Sequence, residues 1–431
     1  MAMVDTSRPA AARPSAGDVV PLGPQDEAAL LWNDQAAFVF PIDPDYRLDF
    51  IEWDRTFGVR VSEELAGTST TFSLSVELPD GGCGTRTVPM AGLSWVAVHP
   101  GYRRRGVLTT MIRDHLHRLH DEGREPVSGL HASESAIYGR FGYGLATVGY
   151  QLSLGRDVAL RPLTGAQAAA AEGLRVRFET ADPERHGDLV HELYHQACRR
   201  RPGMVGRTRA LTLADLRDTP LELQRNEPLR LLVAERDGVP TGYALLRRSM
   251  RWEDFAPDGT VEVRELAAVD RATEHRLWRA VTQFDLTGRA KAGRIATDDP
   301  LLSWLVDARA AKPVRTDELW LRVVDVDRAL TARGYAEPVD VVLQVVDPMC
   351  PWNDGRWRLH ADGAGAAECV RTDDEPHLAL DVRELGAMLA GGTTASTLAA
   401  AGLVTESAPG AARTLSRAMR SDVEPATTYG F

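Results

Sequence analysis

The stretch WVAVHPGYRRRGVLTTMIRDHLHRL, Trp95 to Leu119, restricts the fold more than any other part of the chain. Apolar and β-branched residues from Leu93 to Val98 read as a strand, and Pro100 ends it. Arg103-Arg104-Arg105-Gly106 then forms a basic turn. Leu108, Met111, Ile112, Leu116 and Leu119 recur at helical spacing, which predicts an amphipathic helix from Val107 to about Glu122. A helix N-terminus carries free backbone N–H groups and the positive end of the helix dipole. Gly106 lets the backbone approach a ligand, and the arginines add charge-assisted hydrogen bonds. The turn therefore suits a pyrophosphate. It equally suits a solvated loop before an ordinary helix, and the loop alone does not choose. It is neither G-x-x-x-x-G-K-[ST] nor G-x-G-x-x-G.

Charge narrows the ligand. The 431 residues carry 50 Lys+Arg against 61 Asp+Glu, a formal net charge of -11. That balance disfavours a nucleic-acid partner and leaves room for cationic substrates. The length implies two to four domains. Cys83, Cys198, Cys350 and Cys369 are scattered without a C-x-x-C pair, so no disulfide framework or zinc knuckle is indicated. The first residues lack an apolar core and read as a disordered leader, not a signal peptide. The uncharged run from Leu385 to Val404 holds glycines and threonines. It reads as two helices with a GGTT break, not a membrane span. We expect no membrane partner and a cytoplasmic protein.

Three blocks follow from composition and periodicity. The first reaches about residue 160 and closes on an Ala/Gly-rich stretch, Arg161 to Gly173. The second, 174–314, opens on the strand Leu174–Thr180. It continues with a helix, a hairpin over Leu229–Arg248 turning at Asp237-Gly238, a strand ending at Val269, and a helix from Thr273. The third, 315–431, opens on ELWLRVVDV and adds short strands and small-residue helices. Residues 1–24 form the leader, so the first domain is expected over 25–160. The second block repeats the strand–turn–helix order of the first, but its loop has neither the arginine cluster nor a glycine. If the first loop binds a cofactor, its copy is degenerate.

About thirty residues past the turn comes LHASESAIYGRFGYGLAT, Leu130 to Thr147. Together with GLSWVAVHPGYRRRG it resembles the GCN5-related N-acetyltransferases (the GNAT superfamily). Within them it resembles the "enhanced intracellular survival" (Eis) acetyltransferases of actinobacteria. The resemblance covers most of the chain, including Pro202-Gly203-Met204, STLAAAGLV (Ser396 to Val404) and the C-terminal Phe431. It implies an α/β (mixed α+β) fold with two tandem GNAT domains, the second degenerate, and a sterol-carrier-protein-like C-terminal domain.

The resemblance also implies a chemistry: transfer of an acetyl group from acetyl-CoA to amines, often several amines of one aminoglycoside, with polyamines and lysines as further acceptors. Tyr138 maps onto the general acid for the coenzyme A thiolate, and the terminal carboxylate of Phe431 onto the base. Backbone groups of Val96, Ala97 and Val98 are expected to pair with pantetheine. Arg103, Arg104, Arg105, Gly106, Val107, Leu108 and Thr109 are expected to surround the pyrophosphate, with Ser133 and Glu134 beside the cofactor. Trp95 and Phe38 are expected to line the acceptor pocket. The family assembles as hexamers. Three departures stand out: Leu108 replaces a small residue, Trp95 a common Phe, and Gly430 a common acid. The acids Asp43, Asp45, Asp49, Glu52 and Asp54 form either a polyamine-attracting edge or a solvated face.

Two histidine groups point elsewhere. His191-Glu192-Leu193-Tyr194-His195 matches H-E-x-x-H, the zinc-protease helix. Leu189, Val190, Leu193, Tyr194 and Ala197 form its apolar face, so His191 and His195 are expected opposite it, toward solvent. Arg201 stands where an extended motif needs a third His, and no metal site is expected. His115, His117 and His120 are likewise expected on a solvated helix flank. The alternative to an enzyme is a ligand- or lipid-binding protein with a vestigial GNAT domain. The intact loop and Tyr138 favour the enzyme.

Overall fold

The computed structural model describes residues 17–39, 46, 48–225, 227–363 and 365–431. The chain forms two compact units, with the described parts of 1–42, 51–71 and 95–115 in one and 43–50, 72–94 and 116–431 in the other.

In the smaller unit, Asp18–Pro21 pairs antiparallel with Thr56–Val61, which pairs with the first half of the long strand Glu64–Pro79. The last residues of the strand Thr85–Val98 and the first turns of the helix Val107–Glu122 also lie here. Val59, Ala66, Val107 and Met111 form its buried core. A Cβ on Gly67 would stand 2.8 Å from Val107, so glycine lets the helix sit directly on the sheet. The leader expectation is corrected for residues 18–21. They form an edge strand, because Val19 and Val20 can complete a half-buried sheet face.

In the larger unit, Thr85–Val98 runs parallel to Val127–His131 for three register pairs, Met90–Val127 to Gly92–Gly129. Val127–His131 pairs antiparallel with Leu319–Val323, which pairs with Gly144–Leu145. A second sheet of seven strands runs in the order Val314–Asp317, Val148–Gly155, Thr287–Ala296, Gly259–Ala268, Val239–Ser249, Arg230–Arg236, Arg175–Thr180. A third, of five strands, is centred on Val339–Val346. The 229–248 hairpin turns at Asp237 and Gly238, both at positive φ, as its D-G signal predicts. Helices Val382–Met388 and Ala395–Ala400 flank the GGTT break. Among the described residues no helix is long and apolar enough to cross a membrane.

The block boundaries drawn at 160 and 315 cut across two strands. Val148–Gly155, read with the first block, lies in the second sheet between Thr287–Ala296 and Val314–Asp317. Leu319–Val323, read with the third block, lies in the first sheet. Alternating apolar residues mark a strand but do not name its neighbour.

Both histidine expectations are corrected. His115 is fully buried and its Nδ1 meets the Thr71 hydroxyl at 3.1 Å. His120 stacks on Trp352 (4.0 Å, 12°) and bonds Asp325 at 2.6 Å, while His117 meets the Met349 carbonyl at 3.1 Å. His191 and His195 are half-buried. His191 bonds the Thr212 hydroxyl (3.0 Å) and His195 the Arg207 carbonyl (2.9 Å). A helical wheel shows one apolar face, but a neighbouring polar element can cover the other. Among the described residues no cluster of three His, Cys, Asp or Glu is arranged to hold a metal.

Candidate active site

The basic turn lies in the smaller unit. Pro100–Tyr102 makes one 3-10 turn, Arg104 and Gly106 take φ of 63° and 91°, and the helix begins at Val107. Its first backbone bond runs from Thr110 N to Gly106 O (3.0 Å), so the amides of Val107, Leu108 and Thr109 precede the ladder. Arg103, Arg104 and Arg105 are exposed. Among the described residues they make no ion pair; Arg105 stands 5.3 Å over the Tyr102 ring. Unengaged guanidinium groups at a helix N-terminus fit a diphosphate. Leu108, expected in the apolar stripe, is only half-buried. Val107 and His115 complete the stripe instead. Trp95 takes φ 52° and is half-buried, a kink three residues beyond the last parallel pair. Phe38 is 45% exposed at the end of the helix Glu27–Phe38. Asp43 and Asp45 lie outside the described residues. Asp49 is held bidentate by Arg217 at 2.7 Å, so it is no free charge for a polyamine.

Tyr138 lies in the larger unit, closing a one-turn helix Ser135–Tyr138 after the strand Val127–His131. The GRFGYG string turns tightly because its glycines are crowded. A Cβ on Gly142 would stand 2.7 Å from Arg322, and one on Gly144 would enter the backbone of Arg383 and Ala387. Arg322 is fully buried. It bonds the Phe141 carbonyl (2.9 Å) and pairs with Asp347 (2.7 Å), tying the turn to its surroundings. Tyr143, also fully buried, stands edge-on to Tyr138 at 5.9 Å. The Ser128 hydroxyl donates to the Ala91 carbonyl (3.1 Å), which leaves Tyr143 to donate to Ser128 (2.9 Å). Tyr138 is thus braced against the parallel strand pair. Burial first, then the nearby Glu134 charge, pushes its phenol up to about 12. It is protonated at neutral pH, and among the described residues its hydroxyl has no hydrogen-bond partner. Ser133 and Glu134 are exposed on the preceding loop.

The C-terminus is docked, not frayed. The Phe431 ring stands edge-on to His131 (5.2 Å) and beside Tyr429 (6.2 Å), and a Cβ on Gly92 would lie 3.0 Å from it. Buried Tyr429 sits under the Arg207 guanidinium at 4.7 Å. Burial first, then the Arg294 charge, holds the His131 ring down at about 3, against weaker pulls from the backbone at Tyr429 and Glu318. Tyr138 and Phe431 therefore both rest on the strand pair Met90–Gly92 and Val127–Gly129. Sequence reasoning missed His131, Arg207 and Arg294. Only the TTY before Gly430 hinted that the tail has a seat.

Comparison with known proteins agrees with this architecture. Residues 22–146 and 203–323 each match an acetyltransferase (GNAT) domain family, and residues 326–428 match the sterol carrier protein domain. The N-acetyltransferase Eis of Mycobacterium tuberculosis is 36% identical over 383 residues, covering 87% of this chain and 88% of that protein. The chain belongs to the Eis family of GNAT N-acetyltransferases. An uncharacterized N-acetyltransferase of Streptomyces avermitilis is 40% identical over 380 residues, covering 88% of this chain and 90% of that one. The crystal structure of Eis1 from Mycobacterium abscessus superposes with a TM-score of 0.79 at 28% identity, covering 96% of this chain and all of that one. A GCN5-related N-acetyltransferase from Kribbella flavida gives 0.75 at 25% identity, covering 96% of this chain and 98% of that one. The protein is an acyltransferase using an acyl-CoA donor, which sets aside the non-catalytic alternative.

Proposed function

We propose that this Eis-family enzyme moves the acetyl group of acetyl-CoA to amines of cationic small molecules, aminoglycosides among them, at more than one position. Acetyl-CoA supplies the activated acetyl group. The amides of Val107, Leu108 and Thr109, with Arg103 to Gly106, hold its pyrophosphate. Val96, Ala97 and Val98 pair with its pantetheine arm, and Ser133 and Glu134 flank it. Trp95 and Phe38 line the acceptor pocket. Tyr138 donates a proton to the departing thiolate. A phenol held at about 12 keeps its proton at neutral pH, and full transfer toward a thiol near 8.5 is uphill. Donation therefore works chiefly as a hydrogen bond that strengthens as charge develops. The Phe431 carboxylate attracts the cationic acceptor and takes the amine proton through water. Domains are placed at 25–160, 174–314 and 315–431, with the two exchanged strands noted above. The chain works in the cytoplasm as a homohexamer.

The observation that carries this reading is the braced, protonated Tyr138 on the same strand pair as the docked C-terminus. Coenzyme A release with a kanamycin-type amine tests it, with product mass counting the acetyl groups. No release from the wild-type chain overturns it.

A further inference from the structure

The second GNAT domain retains no arginine loop, yet it grips the tail. Ala426 N donates to the Pro202 carbonyl (3.0 Å), and Glu424 N to Asp298 (2.9 Å). Arg201 donates to the Glu424 carbonyl. Gly203, at φ 84°, leaves room that a Cβ would take from the Ala426 backbone at 3.1 Å. The Pro202-Gly203-Met204 segment thus acts as a seat for the tail. Beyond it, the strand Thr287–Ala296 bulges: its register with Val148–Gly155 shifts between Ala292 and Ile295, and Arg294 takes φ 55°. A strained, non-glycine residue at a bulge re-aims its side chain. Here the guanidinium lies flat on Gly430, whose missing Cβ would stand 2.9 Å from Arg294 Cζ. The position where the resemblance led us to expect an acid is a glycine because a cation from another strand occupies the space.

We propose that Arg294 is the positioning residue of the terminal carboxylate, pressing on the last peptide and keeping the Phe431 carboxylate ionised. This rests on the reading of that carboxylate as proton acceptor. The groups facing the last three residues are Arg294 with its partner Glu318 (3.3 Å), neutral His131, and Arg207, which lies over Tyr429. Glu265, Asp215 and Tyr46 lie within electrostatic reach of Tyr429. Arg294 is the cation among them that touches Gly430. Its role is electrostatic as well as steric, so a neutral residue of similar length should let the carboxylate bind its proton at higher pH.

The test labels the full chain with phenylalanine carrying 13C at the carboxyl carbon. The terminal signal is assigned by its loss on deleting Phe431, and it is titrated by NMR in wild type, Arg294→Gln and Arg294→Lys. The expected result is a midpoint about one pH unit higher in Arg294→Gln, with Arg294→Lys close to wild type. Identical midpoints in wild type and Arg294→Gln overturn the proposal, whether or not the protein acetylates amines. In turnover assays the acidic limb of kcat moves in the same direction, while KM for acetyl-CoA stays constant. A shifted midpoint with full activity after deletion of Phe431 supports Arg294 as the anchor and overturns the base reading alone. Gly430→Ala forces the guanidinium aside and should raise the midpoint without lowering Tm; an unchanged midpoint there counts against the contact.

Discussion

The two strand–turn–helix units end in opposite charges. In the first, three exposed arginines and a glycine at φ 91° lead into a helix whose first three amides precede its ladder. In the second, the strand Gly259–Ala268 leads into the helix Arg271–Thr282, and Asp270 caps it through Thr273 N at 2.8 Å. Burial pushes the Asp270 carboxyl up, but Arg236 at 3.0 Å and the Thr273 amide together bring it below its usual range. Arg271 is spent on Glu274 at 2.7 Å. One copy of the motif presents amides and cations to an anion, and the other has filled the same place with its own carboxylate. A helix N-terminus holds either a capping acid or a phosphate. The degenerate copy was turned to structural use, and its neighbouring segments hold the tail.

The sharpest way to break this comparison is to silence the first copy alone. If only that copy is catalytic, Tyr138→Phe should lower kcat by about 10²- to 10⁴-fold with Tm nearly unchanged. Residual activity near wild type would mean that another group serves as acid. Next in size, replacing Arg103, Arg104 and Arg105 by glutamine should weaken acetyl-CoA binding by about 10- to 100-fold, measured by calorimetry. The stoichiometry should stay at one site per chain, and a second site would refute the assignment of the capped copy. A smaller effect concerns His131. The unfolded chain protonates this histidine below about 6.5 while the folded one resists to about 3. The folded pKa is depressed for a base, so stability is lost as pH falls through that window. By pH 5 the wild type should lose about 2 kcal/mol relative to His131→Gln, seen in urea midpoints. An equal pH response in both proteins would show that the ring is accessible. The smallest is Asp270→Ala, expected to cost about 1 kcal/mol and to leave turnover unchanged. A fall in turnover would tie the second helix N-terminus to catalysis.

Local patterns carried much of this in the linear chain. The RRRG turn, the helix at Val107, the D-G hairpin and the GGTT break all stand where period and turn chemistry put them. What failed was anything that depends on a neighbour far along the chain. His191 and His195 sit opposite an apolar face on the wheel, yet Thr212 and the Arg207 carbonyl cover them. Leu319–Val323 reads as the start of a new block, but it adds to a sheet formed some 190 residues earlier. No spacing in the sequence marks Arg294, because its importance lies in touching Gly430, 136 positions away.

The sequence by itself determined where elements begin and end and which helix N-terminus carries unspent cations, since propensity, periodicity and charge act over a few residues. Only the tertiary structure decided which strand completes which sheet, which polar side chains are covered, and where the chain's end is held. Those outcomes depend on desolvation and close packing between segments that no local pattern links.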